Sequence, residues 1–286
     1  MGRIAYVNGL YVPHSEAAVH VEDRGYQFAD AVYEVLAIHR TKLIDEEWHL
    51  DRLNRSLGEL QIAWPVSRRV LGILMRRLVR RNRLYDGIIY LQIGRGVAPR
   101  DHAFPKEEVG SSLVMTVKAK PIDALKGSAP CKVITVPDIR WGRPDIKTVG
   151  LLPNCLAKQK ASESGCYEAW QVDRDGKVTE GTGSNSWIVS AGGELLTRNI
   201  DGNAILNGVT RLAVLDLARE ADLTFVERPF SVEEAKAARE AFLTSTSSFV
   251  KPVVAIDDQP VADGKVGPLT RKLQELISAR LEAQVA

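Results

Sequence analysis

At 286 residues the chain is longer than one typical domain, so two domains or one large one are expected. Hydrophobic residues make up 45% and charged residues 26%, an ordinary globular mixture, and a formal net charge of +2 is too small to argue for a nucleic acid or membrane partner. The longest apolar runs, such as Pro-Val-Val-Ala-Ile at 252–256, fall far short of a membrane span.

In chain order, Met1 to Gly9 reads as a strand running into a turn, and no apolar stretch of the signal-peptide kind follows Arg3. Leu50, Leu53, Leu57 and Leu60 recur at helical spacing, as do Val70, Ile73, Leu74 and Leu78. The second of these helices carries Arg76, Arg77, Arg80, Arg81 and Arg83, read as a solvated or interface-facing surface. Gly87–Ile93 and Ser112–Val117 are rich in β-branched residues and predict strands. The proline-bounded stretch 121–130 contains Gly127 and predicts a linker between domains at 1–120 and 131–286.

The second half opens with a strand from Cys131. Leu152–Ser164 predicts a helix, with Pro153 in its first turn and Gly165 at its end. Ser231-Val232-Glu233-Glu234 has the form of a capping box, and Leu269, Leu273, Leu276 and Ile277 line one face of a last helix starting near Pro268. The pattern is α+β rather than a regular alternation of strand and helix.

Several chemistries have no signature. There is no GxSxG elbow, P-loop or HExxH, and the five histidines show no ligand spacing. Cys131, Cys155 and Cys166 form no CxxC pair, so neither zinc nor a disulfide framework is expected, and a reducing cytoplasm fits best.

Five segments carry chemistry when taken together. They are Val21-Glu22-Asp23-Arg24-Gly25-Tyr26 through Glu34; His49-Leu50-Asp51-Arg52-Leu53; Asp145-Ile146-Lys147 through Asn154; Val178-Thr179-Glu180-Gly181-Thr182-Gly183; and Ile205-Leu206-Asn207-Gly208-Val209-Thr210-Arg211. A sixth, Thr244-Ser245-Thr246-Ser247-Ser248, follows a strand. In this order they resemble the fold-type IV pyridoxal-phosphate enzymes, from about Tyr6 to Ile256. Ala31 and Gly183 depart from that pattern, standing where relatives often have glycine and serine.

The resemblance implies two domains, a smaller N-terminal α/β domain and a larger C-terminal pseudo-barrel that binds pyridoxal 5'-phosphate. It implies that Lys147 carries this cofactor as a Schiff base, a role that needs an amine nucleophilic toward an aldehyde. It implies that Glu180 pairs with the pyridine nitrogen and keeps the ring an electron sink. It assigns the phosphate to Arg52, Val209, Thr210 and Thr246, and packs Leu206 against the ring. A guanidinium fork and a helix start both suit a phosphate, although Asn207 reads as readily as an ordinary N-cap.

Within the family, Gly94-Arg95-Gly96-Val97-Ala98-Pro99-Arg100-Asp101-His102-Ala103-Phe104-Pro105 is similar to the segment of D-amino-acid aminotransferases that carries an Arg-x-His pair. There Arg100 and His102, with Tyr33, are implied to bind the substrate carboxylate; Arg95 is the rival anchor. The expected activity is D-amino-acid:2-oxo-acid transamination by a homodimer, without metal, nucleic acid or membrane. The alternatives are branched-chain L-amino-acid or (R)-amine transamination, or aminodeoxychorismate lyase activity.

Overall fold

The computed structural model describes residues 3–122 and 127–286. Apart from the last two residues, contacts divide the chain into two compact units, Met1–Pro121 with Ile146–Gly150, and Ile122–Asp145 with Leu151–Gln284. Of the expected linker 121–130, residues 123–126 lie outside the described residues.

The first unit is built on a six-stranded antiparallel sheet. Its strands are β1 (Ile4–Val7), β2 (Leu10–Pro13), β3 (Ala31–His39), β4 (Lys42–Leu43), β5 (Gly87–Gly94) and β6 (Ser112–Ala119), in the order β2-β1-β6-β5-β3-β4. The helices are α1 (Arg24–Phe28), α2 (Glu46–Glu59) and α3 (Arg68–Arg81). One sheet face buries Leu36, Ile89, Leu91 and Met115 with Leu50, Leu53 and Leu57 of α2 and Leu71, Met75 and Leu78 of α3. Because side chains alternate along a strand, Tyr33, Tyr90 and Gln92 stand on the opposite face, with Tyr33 directly across from Gln92.

The buried stripe of α3 is Leu71, Met75, Leu78 and Val79, at i, i+4, i+7 and i+8. Val70 and Ile73, expected on the apolar face, are 40% and 51% exposed. The Ser67 hydroxyl caps the helix start by accepting from Val70 N at 3.3 Å, while packing on the sheet sets which residues turn inward.

The second unit holds nine strands. They are β7 (Cys131–Pro137), β8 (Glu168–Val172), β9 (Val178–Gly181), β10 (Asn185–Val189), β11 (Leu195–Thr197), β12 (Phe225–Glu227), β13 (Glu240–Ser245), β14 (Phe249–Ile256) and β15 (Gln259–Pro260). The order is β12-β11-β10-β13-β14-β7-β8-β9, with β15 on β14. Although β9 ends that path, Ser186 of β10 reaches Thr179 O of β9 at 3.4 Å, so the sheet curls back on itself as a pseudo-barrel. Val133, Trp170, Ile188, Phe230, Leu243 and Ile256 fill the core.

Among the described residues, four α-helices complete this unit, α4 (Leu152–Glu163), α5 (Val209–Glu220), α6 (Val232–Lys236) and α7 (Pro268–Ala283). Ser231 caps α6 through Glu234 N at 3.1 Å. The buried Glu240 carboxylate caps α7 by accepting from Leu269 N (3.0 Å) and Thr270 N (2.7 Å). No described helix is long and apolar enough to cross a membrane.

Candidate active site

In the first unit the Lys147 segment lies alongside β3. Tyr33 N donates to Lys147 O (3.0 Å) and Val149 N to Ala31 O (3.1 Å), while Val32 and Thr148 form a bridge. This short pairing fixes the lysine backbone. Its Nζ then sits 3.3 Å from the Tyr33 hydroxyl and 4.3 Å from the ring centre. Tyr33 packs on Tyr90 at 5.6 Å, and the Tyr90 hydroxyl donates to Gln92 Oε1 at 2.8 Å. Burial, with Tyr33 adding to it, pushes the Tyr90 phenol up to about 12, so it stays neutral near physiological pH.

Arg52, expected at the phosphate, is held by Glu34 of β3. Its Nε and Nη2 donate to the two carboxylate oxygens at 2.8 Å each, and His49 Nδ1 lies 2.7 Å from Glu34 Oε2. Glu34 is wholly buried. Burial alone would raise its carboxyl, but Arg52 and then His49 outweigh burial and hold it down at about 2. Burial lowers the His49 imidazole below its ordinary range. The one-turn spacing of His49 and Arg52 on α2 brings both to this carboxylate.

Arg100 and His102 occupy an exposed loop of the same unit. The Arg100 guanidinium stands 4.7 Å from the Phe28 ring centre and the His102 ring 5.5 Å from it. Arg24 supports the loop by donating to Asp101 O at 2.6 Å. Arg95, the rival anchor, has a different task. It is 8% exposed, bidentate to Asp30 at 2.7 and 3.0 Å, and donates to Leu60 O and Gln61 O at 2.7 and 3.0 Å. Those bonds pin the start of the loop to the end of α2.

In the second unit Glu180 is 5% exposed on β9. Asn185 Nδ2 donates to its Oε2 at 2.9 Å, and Leu206 N lies 3.2 Å from both oxygens. Arg140 pairs with Oε1. No sequence motif pointed to Arg140; the available signal was the Asp138-x-Arg140 spacing after a strand. Leu206, Val209 and Thr210 gather at the start of α5. Asn207, read as an N-cap, is not one. Gly208 takes that position, no side chain caps the helix, and Asn207 Oδ1 instead accepts from Arg211 Nη1 at 3.3 Å. The close approach of Asn185 Oδ1 leaves no room for a side chain at Gly208. Thr246 lies in the turn between β13 and β14, where the Ser245 and Ser248 hydroxyls meet at 2.7 Å.

These features fit a phosphorylated pyridine. The first turn of α5 has neither a side-chain cap nor an acidic residue, which leaves an anion-attracting helix start beside the buried Thr210. Glu180 is the kind of acceptor a ring N–H needs. Among the described residues no cluster of three or more His, Cys, Asp or Glu is arranged to hold a metal ion.

Comparison with known proteins adds three findings. The sequence model of the amino-transferase class IV family matches residues 31–256. A D-alanine aminotransferase of Staphylococcus aureus (strain COL) is 41% identical over 280 residues, 97% of this chain and 98% of that one. Among solved structures, the branched-chain amino acid aminotransferase of Escherichia coli matches with a TM-score of 0.86 at 22% identity, over 96% of this chain and 93% of that one. A likeness at that identity is one of fold.

Proposed function

This chain belongs to the amino-transferase class IV family, and from there we propose that it is a D-amino-acid:2-oxo-acid aminotransferase that uses pyridoxal 5'-phosphate. The observation that carries the reading is the Lys147 amine seated on the Tyr33 hydroxyl at 3.3 Å. The near-full-length similarity to a D-alanine aminotransferase supports the substrate class. The same reading takes 1–120 and 131–286 as the two domains.

When bound, pyridoxal 5'-phosphate supplies an aldehyde that condenses with amines and a ring that accepts electron density from the substrate carbon. The chain's residues do the rest. Lys147 Nζ would hold the cofactor at its aldehyde and would move the proton at the substrate α-carbon. Tyr33 orients that amine. Glu180 holds a proton at the ring nitrogen. Arg52, Val209, Thr210 and Thr246 take the phosphate, and Leu206 lies against the ring. Arg100 and His102 bind the substrate carboxylate. We further propose a cytoplasmic homodimer in which this loop serves the neighbouring subunit; an active monomer by light scattering at assay concentration would sink that arrangement.

A panel of D-alanine, L-leucine and an (R)-arylalkylamine tests the substrate class, since the fold is shared with a branched-chain enzyme. D-alanine should be the best donor; preference for L-leucine would overturn the reading. Arg100→Ala sharpens the panel. Loss of a charge-assisted contact costs about 2–5 kcal/mol, or roughly 30- to several-thousand-fold in kcat/KM for D-alanine, with the amine little changed.

A further inference from the structure

Glu180 does not stand alone in its unit. Arg140 Nε and Nη2 donate to the two oxygens of Asp138 at 3.0 and 2.7 Å, while Nη1 pairs with Glu180. The Arg140 side chain is 7% exposed, Asp138 12% and Glu180 7%. The Thr179 hydroxyl donates to Asp138 Oδ2 at 2.8 Å, and Asp138 N is tied to Val172 O at 2.8 Å. One guanidinium thus bridges two buried carboxylates, and the three charges sum to minus one. Asn185 Nδ2 and Leu206 N also donate to Glu180.

We infer that Asp138 and Arg140 are positioning residues that act through Glu180: Arg140 aims its carboxylate, and Asp138 cancels the arginine's charge so that Glu180 presents one full negative charge to its ligand. This rests on the reading of Glu180 given above. Without Asp138, Arg140 would neutralise Glu180 and repel a protonated ring. Without Arg140, two carboxylates would face each other in a buried site, where one must take up a proton. The neighbouring charges outweigh burial at both Asp138 and Arg140. Burial would raise Asp138 and lower Arg140, yet Asp138 ends below its ordinary range and Arg140 above its own.

Glu168 and the Arg198–Asp173 pair, charged side chains on or beside the neighbouring strands, are engaged elsewhere. Glu168 of β8 accepts from the Thr182 and Ser184 hydroxyls, with Lys158 at 3.8 Å. Arg198 pairs with Asp173 at 2.7 Å on the far end of β9. Opposite shifts of the acid limb in the two single variants therefore report on this triad.

The test uses the full chain loaded with pyridoxal 5'-phosphate and follows the D-alanine half-reaction against pH by the absorbance of the bound cofactor. Arg140→Met should move the acid limb up by about one pH unit or more, because a facing carboxylate raises Glu180. Asp138→Asn should move it down and lower the plateau rate. The double variant Asp138→Asn/Arg140→Met should fall between, and Arg140→Lys should recover most of the wild-type limb. In the cofactor-free protein, isotope-edited infrared should show a protonated carboxyl in Arg140→Met at a pH where the wild type shows none, and Glu180→Gln added to it should remove the band. Single variants that shift the limb in the same direction, or not at all, overturn the inference. Should Arg140→Met not fold, the downward shift in Asp138→Asn decides the question by itself, and its absence overturns the inference. Glu180→Gln separates the two readings: full activity there defeats the role of Glu180, whereas a slow Glu180→Gln beside an unaltered Arg140→Met defeats only the triad.

Discussion

A buried charged trio sits beside candidate site residues in each unit, and these two are built in opposite senses. In the first, a single carboxylate, Glu34, is shared by Arg52 and His49. In the second, a single guanidinium, Arg140, is shared by Asp138 and Glu180. With a neutral imidazole the first trio sums to zero and is rich in donors; the second keeps a net negative charge and is rich in acceptors. A donor-rich cluster suits the phosphate end of a cofactor, and an acceptor-rich one suits a protonated ring nitrogen. The lesson is that burial alone does not set the character of a polar cluster. What matters is which partner is in the minority.

The largest expected effect falls on neither trio. Lys147→Ala should abolish multiple turnover, and borohydride trapping of cofactor on the chain should disappear. Trapping that persists at Lys158 or Lys160 would show that the seat on β3 is not where the chemistry happens.

Glu34→Gln tests the first trio. Removing one partner of a buried ion pair costs about 3–5 kcal/mol, read as a lower urea midpoint. The effect has a sign in pH. The Glu34 carboxyl sits at about 2 in the fold against an ordinary 4.5, so its contribution is complete above the higher value and is lost as pH falls toward the lower. The gap between wild type and variant should therefore narrow on acidification; a constant gap would mean that Glu34 is not ionised in the fold.

Glu180→Gln tests the second trio. An amide cannot hold the pyridinium charge, so proton abstraction should slow about 100-fold or more while cofactor stays bound. Loss of cofactor instead would make Glu180 a binding residue. The smallest effect is expected far from both: Ser231→Ala removes the α6 cap and should cost about 1 kcal/mol of stability without altering the half-reaction.

Much of this was legible in the sequence. Lys147, Glu180 and the α5 start sit in contiguous motifs, and the strands at 87–93 and 112–117 follow from β-branched composition. What escaped depends on partners distant in the chain. Arg140 meets Glu180 only because β7 and β9 flank β8, which no local pattern announces. Arg95 resembled a substrate anchor until Asp30, sixty-five residues away, claimed its guanidinium. The α3 register slipped because Val70 and Ile73 are apolar yet lie beside the buried stripe, and Asn207 lost its cap role to a glycine that alone fits against Asn185.

The five residues Ile146–Gly150 belong to the first unit, although the chain on either side of them belongs to the second. A fragment ending near residue 122 would hold Tyr33 but not the lysine, and a fragment starting near residue 127 would hold the lysine without its strand. Neither could be produced alone as a working half. Cutting the chain between them and mixing the pieces should restore the Lys147 seat only when the later fragment lays this short segment against β3. The seat of the amine thus depends on a pairing between residues far apart in the chain, and a chain in which Ile146–Gly150 is not paired with β3 has no correctly seated nucleophile to offer a reactive aldehyde.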